Sequence, residues 1–214
     1  MVNFPDAGSK DPSMVGAPRY ARAALDHYPT EQRCTDALLS VLGDDMAGMT
    51  AWEPFCGDGA ISKVITPHVW DITNTDIVAY EGFDPDILLD FFSLTPESEL
   101  PKSPEGLTPD AIITNPPYEK GMALKSVEQA LALMQPQNGT VMMLLRKEFD
   151  SAKKHRHIFR DCPAFQAKVD LLFRPRWIKG SKGSPRHNYA WYVWSWAKAN
   201  TAAGLKPELY YAGA

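Results

Sequence analysis

From Thr140 to Leu145 the chain runs through Val, Met, Met and Leu with no polar residue in alternate positions. A strand with one wet face alternates apolar and polar residues. A strand covered on both faces does not. This segment therefore predicts a central strand of a sheet with helices packed on both sides. That constraint decides the fold class, because sheets of this kind are built from strands alternating with helices.

The rest of the sequence supplies the alternation. Thr30 is a candidate cap for a helix whose apolar positions are Ala37, Leu38, Val41 and Leu42, with Gly43 as its stop. Met49–Phe55 reads as a strand, and Ala60–Ile65 as a helix stopped by Pro67. Val69–Asn74 and Ala111–Thr114 read as strands, Met122–Met134 and Ser151–Phe159 as helices. Val169–Phe173 and Tyr189–Trp196 are rich in β-branched and aromatic residues and read as strands. Between them lies Arg174–His187, a loop rich in Gly, Pro and basic residues, so these two strands should pair antiparallel at one edge. The expected architecture is a doubly wound α/β sheet, mostly parallel, with an antiparallel strand at the C-terminal edge. Residues 1–17 read as a flexible arm, 18–198 as the folded domain and 199–214 as a tail. No internal repeat is visible.

The net charge is −4, yet Ser151 to Ala190 holds ten Lys or Arg and two Asp. A basic face on an acidic body is expected. Cys34, Cys56 and Cys162 are scattered without metal-ligand spacing, which argues against a disulfide framework or a zinc site. No apolar run approaches a membrane span, and the first residues lack a signal-peptide core. A soluble, intracellular (cytoplasmic) protein without a membrane partner is the expectation.

Two segments carry chemistry. Trp52-Glu53-Pro54-Phe55-Cys56-Gly57-Asp58-Gly59-Ala60 runs from a strand through a two-glycine turn toward a helix. Gly57 and Gly59 allow a tight turn and close approach of a ligand, and a helix N-terminus offers free N–H groups. Roughly twenty residues on, Asp76 stands where an acidic side chain can accept from ribose hydroxyls. The full Gly-x-Gly-x-x-Gly pattern and the phosphate loop of nucleotide hydrolases are both absent, which disfavours nicotinamide and nucleotide-hydrolysis chemistry. The second segment, Asn115-Pro116-Pro117-Tyr118, follows the strand Ala111–Thr114. Its prolines fix φ and lack N–H groups, so the segment presents carbonyl acceptors in a rigid shape, and the Asn115 side chain adds another. Such acceptors suit an amino group with two protons to donate. Tyr118 offers a flat face for a planar base.

In this order, the two segments resemble class I S-adenosylmethionine-dependent methyltransferases with an Asn-Pro-Pro-Tyr motif. The chain is most similar to the adenine-N6 group, which includes small bacterial and phage enzymes. The resemblance covers roughly Tyr28 to Trp196 and implies the Rossmann-like class I methyltransferase fold with S-adenosyl-L-methionine as cofactor. It assigns Tyr28, Pro29 and Thr30 to the methionine part of the cofactor, together with Glu53, Pro54, Phe55, Gly57 and Gly59. It assigns Asp76 to the ribose, and Asp90 and Phe91 to the adenine ring, Asp90 accepting from its amino group and Phe91 stacking. Asn115, Pro116, Pro117 and Tyr118 become the catalytic residues, with Asn115 also beside the cofactor. The implied reaction is direct methyl transfer to adenine N6 in a base flipped out of its stack.

On the substrate side, Arg174, Arg176, Lys179, Lys182, Arg186 and His187 are candidate nucleic-acid contacts, followed by the aromatic run Tyr189–Trp194, about half of which should be sheet core. The strip from Lys153 to His157 is either a second contact or a solvated helix face. DNA is the expected partner and RNA the alternative. Related adenine enzymes carry a recognition domain after the catalytic one, and Ala197–Ala214 is too short for it, so a homodimer or a separate recognition subunit is expected. A protein glutamine or small-molecule N-methyltransferase, and a non-catalytic binding module that kept the fold, remain as alternatives.

Overall fold

The computed structural model describes residues 29–177, 185–201 and 206–213. One eight-stranded sheet organises them, in the order β3-β2-β1-β4-β5-β7-β6-β8. The strands are β1 (Thr50–Glu53), β2 (Asp71–Asp76), β3 (Ile87–Leu88), β4 (Ala111–Thr114), β5 (Thr140–Arg146), β6 (Phe165–Leu171), β7 (Tyr189–Ser195) and β8 (Glu208–Ala212). All neighbours pair parallel except β7, which runs antiparallel to β5 and to β6. The antiparallel strand thus lies inside the sheet, and β8 forms the edge. Part of the segment expected as a tail beyond residue 198 is this edge strand.

Helix α1 (Gln32–Met46) packs on one face of the sheet and α3 (Met122–Met134) on the other, with the short α2 (Ser62–Ile65) after the glycine turn and α4 (Trp196–Thr201) after β7. The two faces divide β5 cleanly. Met142 and Leu144 join the α1-side core, while Val141, Met143 and Leu145 join the α3-side core. This is why the strand shows no polar alternation. Strand β7 does the same, with Trp191 and Val193 on one side and Tyr192 and Trp194 on the other. Each large apolar side chain so buried contributes about 1.5–3 kcal/mol. The indole N–H groups are not stranded: Trp191 donates to the Cys34 carbonyl at 2.7 Å and Trp52 to Thr75 Oγ1 at 2.9 Å.

Several boundaries differ from the sequence expectation. Helix α1 runs through Gly43 to Met46, because buried Met46 anchors the last turn and Gly48, at φ 84°, takes the left-handed conformation that ends the segment. Its N-cap position falls on Glu31, without a side-chain cap, and Thr30 has another task. The basic segment expected as one helix forms two 3-10 turns, Phe149–Ser151 and Lys153–Ile158. Strand β2 starts at Asp71 and continues past Asn74 to Asp76. No helix among the described residues is long and apolar enough to cross a membrane.

Candidate functional site

Strand order reverses between β1 and β4, where connections leave to opposite sides, and a crevice opens beyond the carboxyl ends of such strands. The two distinctive segments meet there. The turn from Glu53 to Gly59 leaves β1, and Asn115–Tyr118 leaves the adjacent β4. Asp76 ends β2 on the other side of β1.

The glycine turn is held from β2. Cys56 N–H donates to the Thr75 carbonyl, and Gly57 N–H donates to Asp76 Oδ2 at 2.9 Å. Asp76 Oδ1 accepts from Ile77 N–H at 2.7 Å. Both carboxylate oxygens thus brace the turn at the end of β2. Ile77, directly after it, is 53% exposed and offers an apolar face at the same rim. Gly57 and Gly59 both have positive φ, 54° and 71°. Gly59 is small for a different reason than ligand approach: a Cβ there would lie no more than 2.7 Å from three carbons of the Phe83 ring. Phe83 belongs to a tight turn, Tyr80 to Phe83, that folds over the glycine segment.

Glu53 is almost fully buried at the end of β1. Its Oε2 accepts from Ser62 N–H at 3.0 Å and touches the Ser62 hydroxyl. Burial above all pushes this carboxyl up to about 8, and the neighbouring Asp58 and Asp76 push the same way, against the Ser62 hydrogen bonds. Pro54 is buried behind it, and Phe55 packs edge-on against Phe91 at 5.0 Å.

Phe91 requires a correction. It is 1% exposed, enclosed by Trp52, Phe55 and Phe92, and presents no face for stacking. Phe92 is the partly exposed ring of the pair. Asp90 is exposed and caps the short 3-10 turn Phe91–Ser93 by accepting from Phe92 N–H at 2.9 Å.

At the end of β4, the Asn115 carboxamide sits between two hydroxyls. Its Nδ2 donates to Thr30 Oγ1 at 3.1 Å, and Tyr118 OH donates to its Oδ1. Tyr118 OH also lies 2.6 Å from the Leu144 carbonyl on β5, so the ring is anchored at its hydroxyl end while remaining partly exposed. Tyr189 meets it edge-on at 5.7 Å, and Trp177 meets Tyr189 at 4.8 Å. The Pro116 carbonyl takes part in no hydrogen bond among the described residues. Buried Thr30 thus reaches Asn115, whereas Pro29 beside it is exposed.

On the basic side the structure separates the candidates. Tyr28, Lys179 and Lys182 lie outside the described residues. Arg174 is turned to Asn188 Oδ1 at 2.9 Å, and the Arg176 backbone N–H is tied to Glu31. Arg186 and His187 are exposed, and desolvation and then Arg146 hold the His187 imidazole below its usual range. Every residue from Tyr189 to Trp194 is buried, which removes the whole run from base stacking. The strip before β6 is largely engaged as well: His155 is buried against Phe149, His157 pairs with Glu128 and Arg156 with Asp161.

Ile77, Phe83, Phe92 and the Ser62–Asn74 pair were not singled out from sequence.

No protein-family model and no curated protein matches this sequence. Among solved structures, the chain is similar to a Pyrococcus horikoshii protein to which an RNA methyltransferase role is ascribed: TM-score 0.60, 12% identity, 80% of this chain and 87% of that one. It is also similar to a Listeria monocytogenes protein assigned to the class I S-adenosylmethionine-dependent methyltransferases: TM-score 0.52, 10% identity, 92% of this chain and 65% of that longer one. At these identities the likeness concerns architecture, and the architecture is the class I methyltransferase fold.

Proposed function

We propose that this chain is an S-adenosylmethionine-dependent methyltransferase acting on adenine N6 in DNA. The observation that carries this reading is the pair of acceptors at the end of β4: Asn115 Oδ1, fixed by Thr30 and Tyr118, and the Pro116 carbonyl, which no hydrogen bond among the described residues engages, beside a glycine turn braced by Asp76.

The crevice fits the cofactor. Asp76 ends β2 beside the glycine turn with a carboxylate of the kind that suits ribose hydroxyls, exposed Ile77 offers an apolar surface beside it, and Glu53 is an acidic partner for an ammonium group. Asp90 and Phe92 stand further along the same rim, where they suit the adenine ring. When bound, S-adenosylmethionine supplies an electrophilic sulfonium methyl.

The protein's own task is to make a poor nucleophile attack. The adenine amino nitrogen has its lone pair delocalised into the ring. Accepting its two hydrogens at Asn115 Oδ1 and Pro116 O favours a more tetrahedral nitrogen with a localised lone pair. The same acceptors stabilise the positive charge that develops there. A carboxamide oxygen has two lone-pair sites, so Asn115 can hold Tyr118 and the substrate together. The partly exposed Tyr118 ring supports the base, and holding the reacting groups in line supplies much of the remaining rate. Exposed Arg186 suits a phosphate, and the sequence just before it is rich in Lys and Gly. The adenine-N6 resemblance of Asn115–Tyr118 supports DNA, while the role ascribed to the Pyrococcus protein makes RNA the second substrate to test.

The test is transfer of labelled methyl from S-adenosylmethionine to DNA, RNA and bulk protein in parallel, with Asn115→Ala as control. Label in DNA that depends on Asn115 is expected. Label confined to protein would overturn the substrate class, and label in RNA alone would move the assignment to RNA.

A further inference from the structure

We propose that Ser62, Asn74 and Asp86 form a polar relay that keeps the Glu53 carboxyl protonated in the ligand-free protein, and that a cationic ligand group binding beside Glu53 expels that proton.

Asp86 Oδ2 accepts from Asn74 backbone N–H at 2.7 Å and faces Asn74 Nδ2 at 3.2 Å. A carboxylate oxygen already serving as acceptor orients the amide nitrogen toward itself, so Asn74 Oδ1 points the other way, at Ser62 Oγ. The Ser62 hydroxyl also touches Glu53 Oε2. One hydroxyl proton lies between two oxygens that both accept. If Ser62 donates to Asn74, its oxygen must receive a proton from Glu53, and an ionised carboxylate has none to give. The arrangement is satisfied when Glu53 is a carboxylic acid.

The surroundings agree. Glu53 is 2% exposed, and the titratable groups facing it are Asp58 and Cys56 in the glycine turn and Asp76 at the end of β2, with Asp86 at the far end of the relay. Lys63, next after Ser62, turns its Nζ to the Asp58 carbonyl at 2.7 Å. Burial and two like-charged neighbours favour the neutral form and outweigh the Ser62 N–H, which donates to the same carboxyl oxygen at 3.0 Å and favours the charged one. A ligand ammonium reverses that balance: the Glu53 O–H ionises, the proton passes to the buffer, and the carboxylate pairs with the incoming charge. This second half rests on the cofactor reading above.

Two measurements separate the halves. In the free protein, carbon NMR of Glu Cδ across pH, assigned with Glu53→Gln, should place the Glu53 midpoint above about 7. A midpoint in the ordinary glutamate range near 4.3 would overturn the relay. Calorimetric titration with S-adenosylhomocysteine at pH 7 should give a heat that depends on buffer ionisation enthalpy, corresponding to release of up to one proton. The dependence should vanish in Glu53→Gln and with methylthioadenosine, which lacks the ammonium. Binding with a buffer-independent heat would overturn proton expulsion. No binding at all would overturn the cofactor reading and, with it, proton expulsion, while the NMR result decides the relay.

Discussion

Replacing Gly59 with Ala tests how the glycine turn is built. Two separate costs arise. At φ 71° an L-residue in the left-handed region costs about 1–2 kcal/mol. The new methyl would also lie no more than 2.7 Å from three carbons of the Phe83 ring, so the Tyr80–Phe83 turn must shift. Overpacking of this kind costs about 1–3 kcal/mol. The sum is about 2–5 kcal/mol, of which only the second part depends on Phe83. A double-mutant cycle with Phe83→Ala isolates it. Denaturant unfolding of the four proteins should show Gly59→Ala costing about 1–2 kcal/mol in the Phe83→Ala background and clearly more in the wild type. Equal costs in both backgrounds would refute the placement of Phe83 on the turn. Cofactor affinity should fall with the same pattern, because the displaced ring stands over the segment between Glu53 and Asp76.

Further outcomes follow from the same geometry. Asn115→Ala should lower kcat by about 100–1,000-fold, the range for removing one preorganised polar group, while calorimetry shows cofactor affinity changed little. Thr30→Val should lower kcat with little change in KM for nucleic acid, and Thr30→Ser should restore it, since only the hydroxyl that holds Asn115 Nδ2 is at issue. Glu53 has a folded-state value raised from 4.5 to about 8, so the folded protein binds the extra proton and stability falls as pH rises between those values, by at most about 1.4 kcal/mol per pH unit. Unfolding midpoints of Glu53→Gln should be flatter with pH across that window, and an unchanged slope would contradict the assignment. Trp191→Phe should destabilise by about 1–3 kcal/mol, measured in denaturant, because buried Cys34 loses the indole donor at its carbonyl.

The sheet was legible because both cores use β5 and β7: a strand that feeds two apolar layers cannot hide its lack of alternation. The ends of β1 and β4 were legible for a different reason. Gly57, Gly59 and the prolines at 116 and 117 restrict the backbone so strongly that the local chemistry shows through. What stayed hidden depends on long-range placement. Phe91 and Phe92 are adjacent and chemically identical, and only the packing of Phe91 on Trp52 and Phe55 decides which ring is exposed. Thr30 looked like a helix cap, and its contact with Asn115 spans 85 positions of chain. The aromatic run of β7 looked half available for bases, yet with helices on both faces it is wholly buried. Strand β8, with Leu209 and Tyr211 exposed, follows a segment without a strong strand signal and is held by pairing with β6.

The most direct test of the central claim is nucleoside analysis by mass spectrometry of DNA incubated with S-adenosylmethionine and either the wild-type protein or Asn115→Ala. N6-methyladenine is expected with the wild type and none above background with the variant. N6-methyladenine at equal levels with both, or methylation confined to protein glutamine, would contradict it.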